Sequence, residues 1–539
     1  MTTLGNYLTQ SLKELGVSTL FGIPGDYILD LCHELETTNG FRFIPLSTEP
    51  GVGFAAQAFA RATGKLGVVC VTYGVGGLSV LNPVACAYAE MAPLLVLSGG
   101  PSREEKERAS ILVHHQVKSP SSQLKIFEEV TQYAAVLDDP ATAAQKIDHA
   151  LECTLQYMKP VYLEIPRGAI HQEIRVPTEK KRPLLTVNEE AVTEAAHEIG
   201  DRLSRAKKPV LVVGIEVHRK KLAGKVVRFA EQWGIPVVST FLARGTYPYD
   251  HPQYLGTYLG AACPPLVRET VEKSDCLFML GVILTDTNMA VRLKDVDPKN
   301  VMLCLGREVK IQHHKYENAP LEKVLDRILE GPVQQKARHF EKIPPPDIAP
   351  PPTGNGPITV GQVIDHLNYF LKTQEQMIVV ADTGDSLFIS YELNAKRVMA
   401  PAYYTTMGFA VPSGIGIQIG TGERPLILVG DGAFQMTGTE LAQCPRYEIN
   451  PIVILLNNNR WGMLEPFLPE GGYNKIPNWP YAEMARGWGG NGFSVKTPKE
   501  FQEALQTAHR SDRFSLIEVA IQPGDYTKTL QIFAKGIKS

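Results

Sequence analysis

The stretch LILVGDGAFQMTGTELAQCPRYEINPIVILLNNNR, residues 426–460, decides the fold class of this chain. It holds two apolar runs, 426–429 and 452–456, made of the branched residues typical of strands buried on both faces. The first run closes on Gly430-Asp431-Gly432, and the second, after 24 intervening residues, on Asn457-Asn458. Adjacent parallel strands would deliver a carboxylate and an amide oxygen to one crevice. That is the hard-oxygen set that suits a magnesium ion bound to a diphosphate. The glycines let backbone approach phosphates, and a helix beginning near Ala433 would point its N-terminal amides at them. A βα turn with an Asp cap and a separate polar Asn turn is the plainer alternative, and the paired spacing weighs against it.

Outward from this stretch the same pattern recurs in GVVCVTYG (67–74), LLVLSGG (94–100), PVLVVG (209–214) and CLFMLG (276–281). Longer segments with helical spacing, such as SVLNPVACAYAEMA and ITVGQVIDHLNYFLKT, lie between such runs. The alternation predicts an α/β protein of doubly wound parallel sheets, with chemistry at the strands' carboxyl ends. Two segments break it: EIRVPTEKKRPLL (173–185) and the proline-rich FEKIPPPDIAPPPTGNGP (340–357). They divide the chain into domains at 1–175, 186–340 and 356–539. Three domains also suit 539 residues, given about 100–200 residues per domain.

The 54 basic and 57 acidic residues give a net charge of −3, which leaves no basic surplus for a nucleic acid or an anionic membrane surface. No apolar run spans the roughly 30 Å of a bilayer core, and MTTLGNYLTQSLKELG reads as an amphipathic helix rather than a signal peptide. A soluble, cytoplasmic protein is expected. The eight cysteines (32, 70, 86, 153, 263, 276, 304 and 444) sit mostly in apolar stretches without CxxC pairing, and so read as reduced core residues.

With GDG, the NN pair and the strand pattern in hand, the chain resembles the thiamine diphosphate enzymes. The resemblance extends through FGIPGDYILDL (21–31), STEPGVGFAA (47–56), YAEMAPLLVLSG (88–99), His114-His115, YLEIP (162–166) and MGFAVPSGIG (407–416). These fall in the order of the pyruvate, indolepyruvate and phenylpyruvate decarboxylases. The resemblance implies a pyrimidine-binding first domain, a cofactor-free middle domain and a diphosphate-binding third domain.

It also implies roles for particular residues. Glu49 would exchange a proton with the cofactor's pyrimidine, Met407 would wedge the cofactor into a bent shape, and Thr405 would meet the aminopyrimidine through its backbone. Thr383 and Asp385 match positions beside the diphosphate, together with Gly430, Gly432 and Ala433. Asp431, the Asn458 side chain and the Arg460 carbonyl match the magnesium ligands. Asp26 and His115 would relay protons and His114 would orient the intermediate, work that suits histidine because its pKa lies near neutrality. The active site would be completed by a second subunit, in a homodimer or homotetramer.

The sequence departs from pyruvate decarboxylases at one place. They carry a glutamate six residues after the metal-binding asparagine, as in GYTIE, and here that position is Leu464, beside Trp461, with Glu465 one residue on. A one-residue slip turns a helical side chain by about 100°. The pattern resembles the phenylpyruvate type, in which an aspartate of the middle domain, matched here by Asp286, assists. Leucine near the reacting carbon favours a large apolar substrate, phenylpyruvate, indolepyruvate or a long aliphatic 2-keto acid, over pyruvate. A carboligase such as acetolactate synthase, the nearest rival, normally has no adjacent histidine pair. A nicotinamide or flavin dehydrogenase would need a GxGxxG opening a βα unit with an acidic residue about 20 positions on, and none is found.

Overall fold

The computed structural model describes every residue except 1, 38–39, 108–110, 177–185, 288–295, 332–339, 342, 344–346, 470 and 539. Three sheets organise the chain. The first has six parallel strands, edge to edge Arg42–Pro45, Thr19–Gly22, Gly67–Val71, Leu94–Gly100, Val161–Pro166 and Tyr133–Val136. The third runs Val398–Met399, Val379–Ala381, Leu426–Gly430, Ile452–Asn457, Ser515–Ala520 and Asn491–Val495, again all parallel. Numbered along the chain, both have the order 2-1-3-4-6-5. In each, the winding reverses between its first and third strands, which opens a crevice at their carboxyl ends.

The central strands are apolar throughout because helices cover both faces. Gly67–Val71 and Ile452–Asn457 are buried at every position. The two sheets meet through helix Glu49–Thr63, capped by Thr48 and ended by left-handed Gly64, which crosses helix Ala410–Thr421. Small residues let the backbones touch: a Cβ on Gly416 would fall 2.1 Å from the Ala55 carbonyl oxygen. Phe54 and Phe409 meet edge to face at 5.7 Å beside this crossing, within one buried cluster shared by both sheets. Each such aromatic contributes about 2–3 kcal/mol by burial.

The middle sheet departs from the all-parallel expectation. Its strands Tyr254–Tyr258, Val237–Thr240, Pro209–Val213, Cys276–Leu280 and Val301–Leu305 are parallel, but Glu308–Ile311 and His314–Glu317 add an antiparallel hairpin. The hairpin turn is Gln312-His313, with Gln312 at φ 53°, and it lacks the Asn-Gly type of signal that marks such turns in a sequence. At this sheet's own reversal point, a Cβ on Gly214 would lie 1.9 Å from the Gly281 carbonyl oxygen. The fully buried Glu216 follows, bonded to the Gly306 N–H at 2.7 Å.

All eight cysteines are free, and all but Cys153 are buried. Among the described residues no helix is long and apolar enough to cross a membrane.

Candidate active site

The reversal point of the third sheet opens into a cavity of about 470 Å³. One wall is the turn after strand Val379–Ala381, with Thr383, Gly384 and Asp385; the other is Gly430 through Ala433. Helices Asp385–Glu392 and Asp431–Thr437 start at these turns, and neither N-terminus is capped by a side chain. Two free helix N-termini at a switch point are what a diphosphate requires. The second helix begins two residues earlier than Ala433. Thr405, at a left-handed φ of 51°, and Met407 line the cavity from a neighbouring loop.

Asp431 is only 2% exposed. Burial pushes its carboxyl up to about 6, although the Gly432 N–H (2.9 Å to Oδ1) and Asn459 N–H (2.6 Å to Oδ2) pull the other way. A carboxylate so costly to bury bare is suited to a cation. The Asn458, Arg460, Trp461 and Leu464 walls stand opposite. Asn458 Oδ1 accepts the Arg460 N–H at 3.0 Å, which tightens the turn that carries both residues. Glycine is required at 432, where a Cβ would strike the Trp461 ring at 2.2 Å. Magnesium and thiamine diphosphate thus fit the donors present: one buried carboxylate, an amide oxygen on the same rim, and two open helix N-termini.

Leu464 and Glu465 diverge. Leu464 lines the cavity and is 49% exposed, whereas Glu465 is 9% exposed, takes Arg460 Nη1 at 2.6 Å and accepts the Tyr526 hydroxyl. The short 3-10 turn Gly462–Leu464 causes the divergence, because its end turns residue 465 toward the C-terminal segment. That segment is held by Asp385, whose carboxylate takes the Thr527 N–H (3.0 Å) and hydroxyl (2.6 Å). Asp385 therefore borders the cavity while its charge is directed at Thr527. Burial pushes its carboxyl up to about 7.

The first-domain residues form a second cluster, at the reversal point of their own sheet. Glu49 begins helix Glu49–Thr63, and a Cβ on Gly76 would lie 3.6 Å from its Oε1. Asp26 Oδ2 meets His114 Nε2 at 2.7 Å, and the His114 and His115 rings are 4.7 Å apart. His115 takes φ 66°, and Gly74 makes room for it, since a Cβ there would fall 2.2 Å from the His115 carbonyl oxygen. None of Asp26, Glu49, His114 and His115 lines this chain's own third-domain cavity. Asp286 does not line it either; its carboxylate accepts the following Thr287 N–H at 2.8 Å on an exposed loop.

Several supporting residues gave no signal in the sequence. Asp382, fully buried, accepts the N–H groups of Thr383, Gly408 and Ala410. Glu440, also fully buried, accepts the Ser47 N–H and the Thr48 hydroxyl just ahead of Glu49. Met436, Leu456 and Met463 add apolar wall to the cavity. Each depends on a partner distant in the chain, which no local pattern announces.

Sequence comparison agrees with this geometry. Residues 2–126 match the thiamine pyrophosphate enzyme N-terminal TPP binding domain, 181–320 the central domain and 382–519 the C-terminal TPP binding domain. Over 544 residues the chain is 41% identical to an indole-3-pyruvate decarboxylase from Azospirillum brasilense, covering 99% of this chain and 98% of that protein. The chain belongs to the thiamine diphosphate-dependent 2-keto acid decarboxylases. Within this family it is 30% identical to pyruvate decarboxylase 1 of Oryza sativa subsp. indica, covering 98% and 90% of the two chains. It is 28% identical to a pyruvate decarboxylase of Hanseniaspora uvarum, covering 98% and 97%.

Proposed function

We propose that this decarboxylase acts on 2-keto acids with large apolar side chains, phenylpyruvate and indolepyruvate foremost and long aliphatic ones after them, and releases the aldehyde and carbon dioxide. The observation that carries this reading is the mouth of the cavity: apolar Leu464 faces it while the neighbouring carboxylate of Glu465 is turned away onto Arg460 and Tyr526. Each methylene enclosed there favours a longer side chain by about 0.8 kcal/mol. The relative named for indole-3-pyruvate supports the same class.

Thiamine diphosphate, when bound, supplies the nucleophilic carbon that adds to the keto group and the electron sink that makes loss of carbon dioxide possible. Asp431, the Asn458 side chain and the Arg460 carbonyl would hold magnesium. Thr383 and the open N-termini at Gly384 and Gly430 would bind the diphosphate, with Thr405 and Met407 shaping the ring site. Glu49 would hold and return the pyrimidine proton. Asp26 and His115 would deliver a proton to the reacting carbon while His114 orients the substrate-derived group, and Asp286 would assist from the middle domain.

Because Glu49 and the histidines stand apart from this chain's own cavity, they serve the cavity of a second copy. Large apolar residues near both half-sites support this: Val75, Ile111, Leu112 and Val117 on one side, Met436, Leu468 and Tyr473 on the other, all more than half exposed. We infer a homodimer at least, or a homotetramer, working in the reducing cytoplasm that eight free cysteines suit. Aldehyde release from phenylpyruvate, indolepyruvate, 2-ketooctanoate, 2-ketoisovalerate and pyruvate, with cofactor and magnesium present and then withheld, tests the reading. Cofactor-dependent release that favours the large side chains is expected. A preference for pyruvate would overturn the substrate class, and no release from any of them would overturn the reaction.

A further inference from the structure

Arg167, directly after strand Val161–Pro166, has no part in the roles above. Its own N–H donates to the Gly100 carbonyl at 2.9 Å, which fixes where the side chain starts. The guanidinium then reaches back to the proton-handling cluster. Nη2 donates to Asp26 Oδ2 at 2.8 Å and Nη1 to Glu105 Oε1 at 3.0 Å, and the group lies 4.2 Å from the centre of the Tyr27 ring. Glu105 is itself pinned by the Ser102 N–H at 2.7 Å, so the far end of the clamp is anchored. The Asp26 oxygen that takes Arg167 also meets His114 Nε2, at 2.7 Å. The Tyr27 hydroxyl meets His114 Nδ1 at 3.3 Å. Guanidinium and imidazole thus share one carboxylate oxygen, and the phenol beneath the guanidinium supports the imidazole's other nitrogen.

We propose that Arg167 is a positioning residue for proton delivery, holding Asp26 against His114 and returning it to a carboxylate after each proton it passes on. The charged and titratable groups that face Asp26 are His114, His115 and Arg167, with Tyr27 alongside. Burial alone would lift the Asp26 carboxyl; the His114 hydrogen bond, then the charges of His114 and Arg167, hold it below the usual carboxylate range. Only one of these supports is constant. A guanidinium keeps its charge at every working pH, which an imidazole does not. Without Arg167, Asp26 would lose the fork that aims it at His114 and would keep a proton up to a higher pH.

The atoms that Asp26, His114 and His115 could offer a metal ion lie within 4.8 Å of one another. A fixed cation on the same carboxylate argues for proton traffic there instead.

This inference rests on the proton role proposed for Asp26 and the histidines. The test uses the full-length protein with thiamine diphosphate and magnesium, and follows aldehyde release from phenylpyruvate between about pH 3.5 and 8. In Arg167→Met the acid limb of kcat/KM should move up by about one pH unit, so that activity relative to the parent falls progressively toward the acid end, up to about tenfold below the parent's own limb, and the ratio levels off toward pH 8. Arg167→Lys should recover most of that shift, and Glu105→Gln, which leaves Asp26 and Arg167 paired, should not move the limb upward. A profile parallel to the parent at every pH would overturn the inference. So would a loss confined to KM, which would make Arg167 a direct contact of the substrate carboxylate. Should Arg167→Met fail to fold, the lysine variant carries the test, since one rotating ammonium cannot reproduce the fork that holds Asp26 and Glu105 together. Its limb should then lie measurably above the parent's, and an identical profile would count against the inference. No aldehyde from the parent itself would instead refute the proposed reaction.

Discussion

Replacing Asp382 with alanine tests whether the cofactor cavity is held from behind by one buried carboxylate. Oδ1 of Asp382 accepts the N–H groups of Thr383 (2.9 Å) and Gly408 (3.0 Å), and Oδ2 accepts that of Ala410 (2.7 Å). The residue therefore caps helix Ala410–Thr421 from the adjacent strand and ties the loop bearing Thr405 and Met407 to the turn bearing Thr383. Alanine would leave three buried amides without an acceptor, at about 1–3 kcal/mol each, partly offset because no charge is then buried. A net loss of about 4 kcal/mol follows. For a domain of about 150–250 residues each kcal/mol lowers Tm by about 2–4 °C, so a drop of roughly 8–16 °C is expected. Asparagine keeps one acceptor oxygen and should lose about half as much. Thermal unfolding of the cofactor-free protein, with titration of thiamine diphosphate in magnesium, reads both consequences. The alanine variant should melt early and bind cofactor more weakly. A Tm within about 2 °C of the parent with unchanged affinity would refute the tie.

Glu49→Gln should lower turnover at least a hundredfold while cofactor binding persists, whereas Asp431→Ala should abolish cofactor binding in an equilibrium titration; full activity in either variant would contradict the role proposed for that residue. Leu464→Ala should lower kcat/KM for phenylpyruvate several-fold more than for pyruvate, through loss of apolar contact with the larger side chain. A uniform change would remove Leu464 from the substrate wall. Burial pushes Asp382 and Asp385 up to about 7 from an ordinary 3.8, so the folded chain binds protons that the unfolded chain releases between those values. Their contribution to stability is full below about pH 4 and is lost as pH rises through 7. The cofactor-free Asp385→Asn variant should therefore show a flatter Tm profile from pH 5 to 8 than the parent, and parallel profiles would contradict this.

The parallel strands were legible because a strand covered on both faces must be apolar throughout, and glycine marks where it stops. Gly430-Asp431-Gly432 and Asn458 could be placed at one crevice because strand neighbours and their carboxyl ends follow from that pattern. Thr383, Thr405, Met407, Trp461 and Leu464 come to the same 470 Å³ cavity. What could not be read depended on distant partners. Asp382 looks like any strand-end aspartate until Gly408 and Ala410 are seen to donate to it. Nothing local showed that Glu465 would turn toward Tyr526, because a 3-10 turn and a segment 61 residues away set its direction. The antiparallel hairpin of the middle sheet was hidden by a turn without glycine or asparagine.

The first and third sheets share one winding order, and the helices that join them cross through glycines. Each sheet has its own crevice but loads it differently: one with amides and a metal-type carboxylate, the other with acids and bases. On the reading proposed above, the chain carries two unlike halves of a site, and a second copy completes each. Two chains related by a twofold axis would then yield two whole sites rather than one. Catalysis in this protein would thus depend on its concentration, and dilution below the point of dissociation should silence it without unfolding either copy.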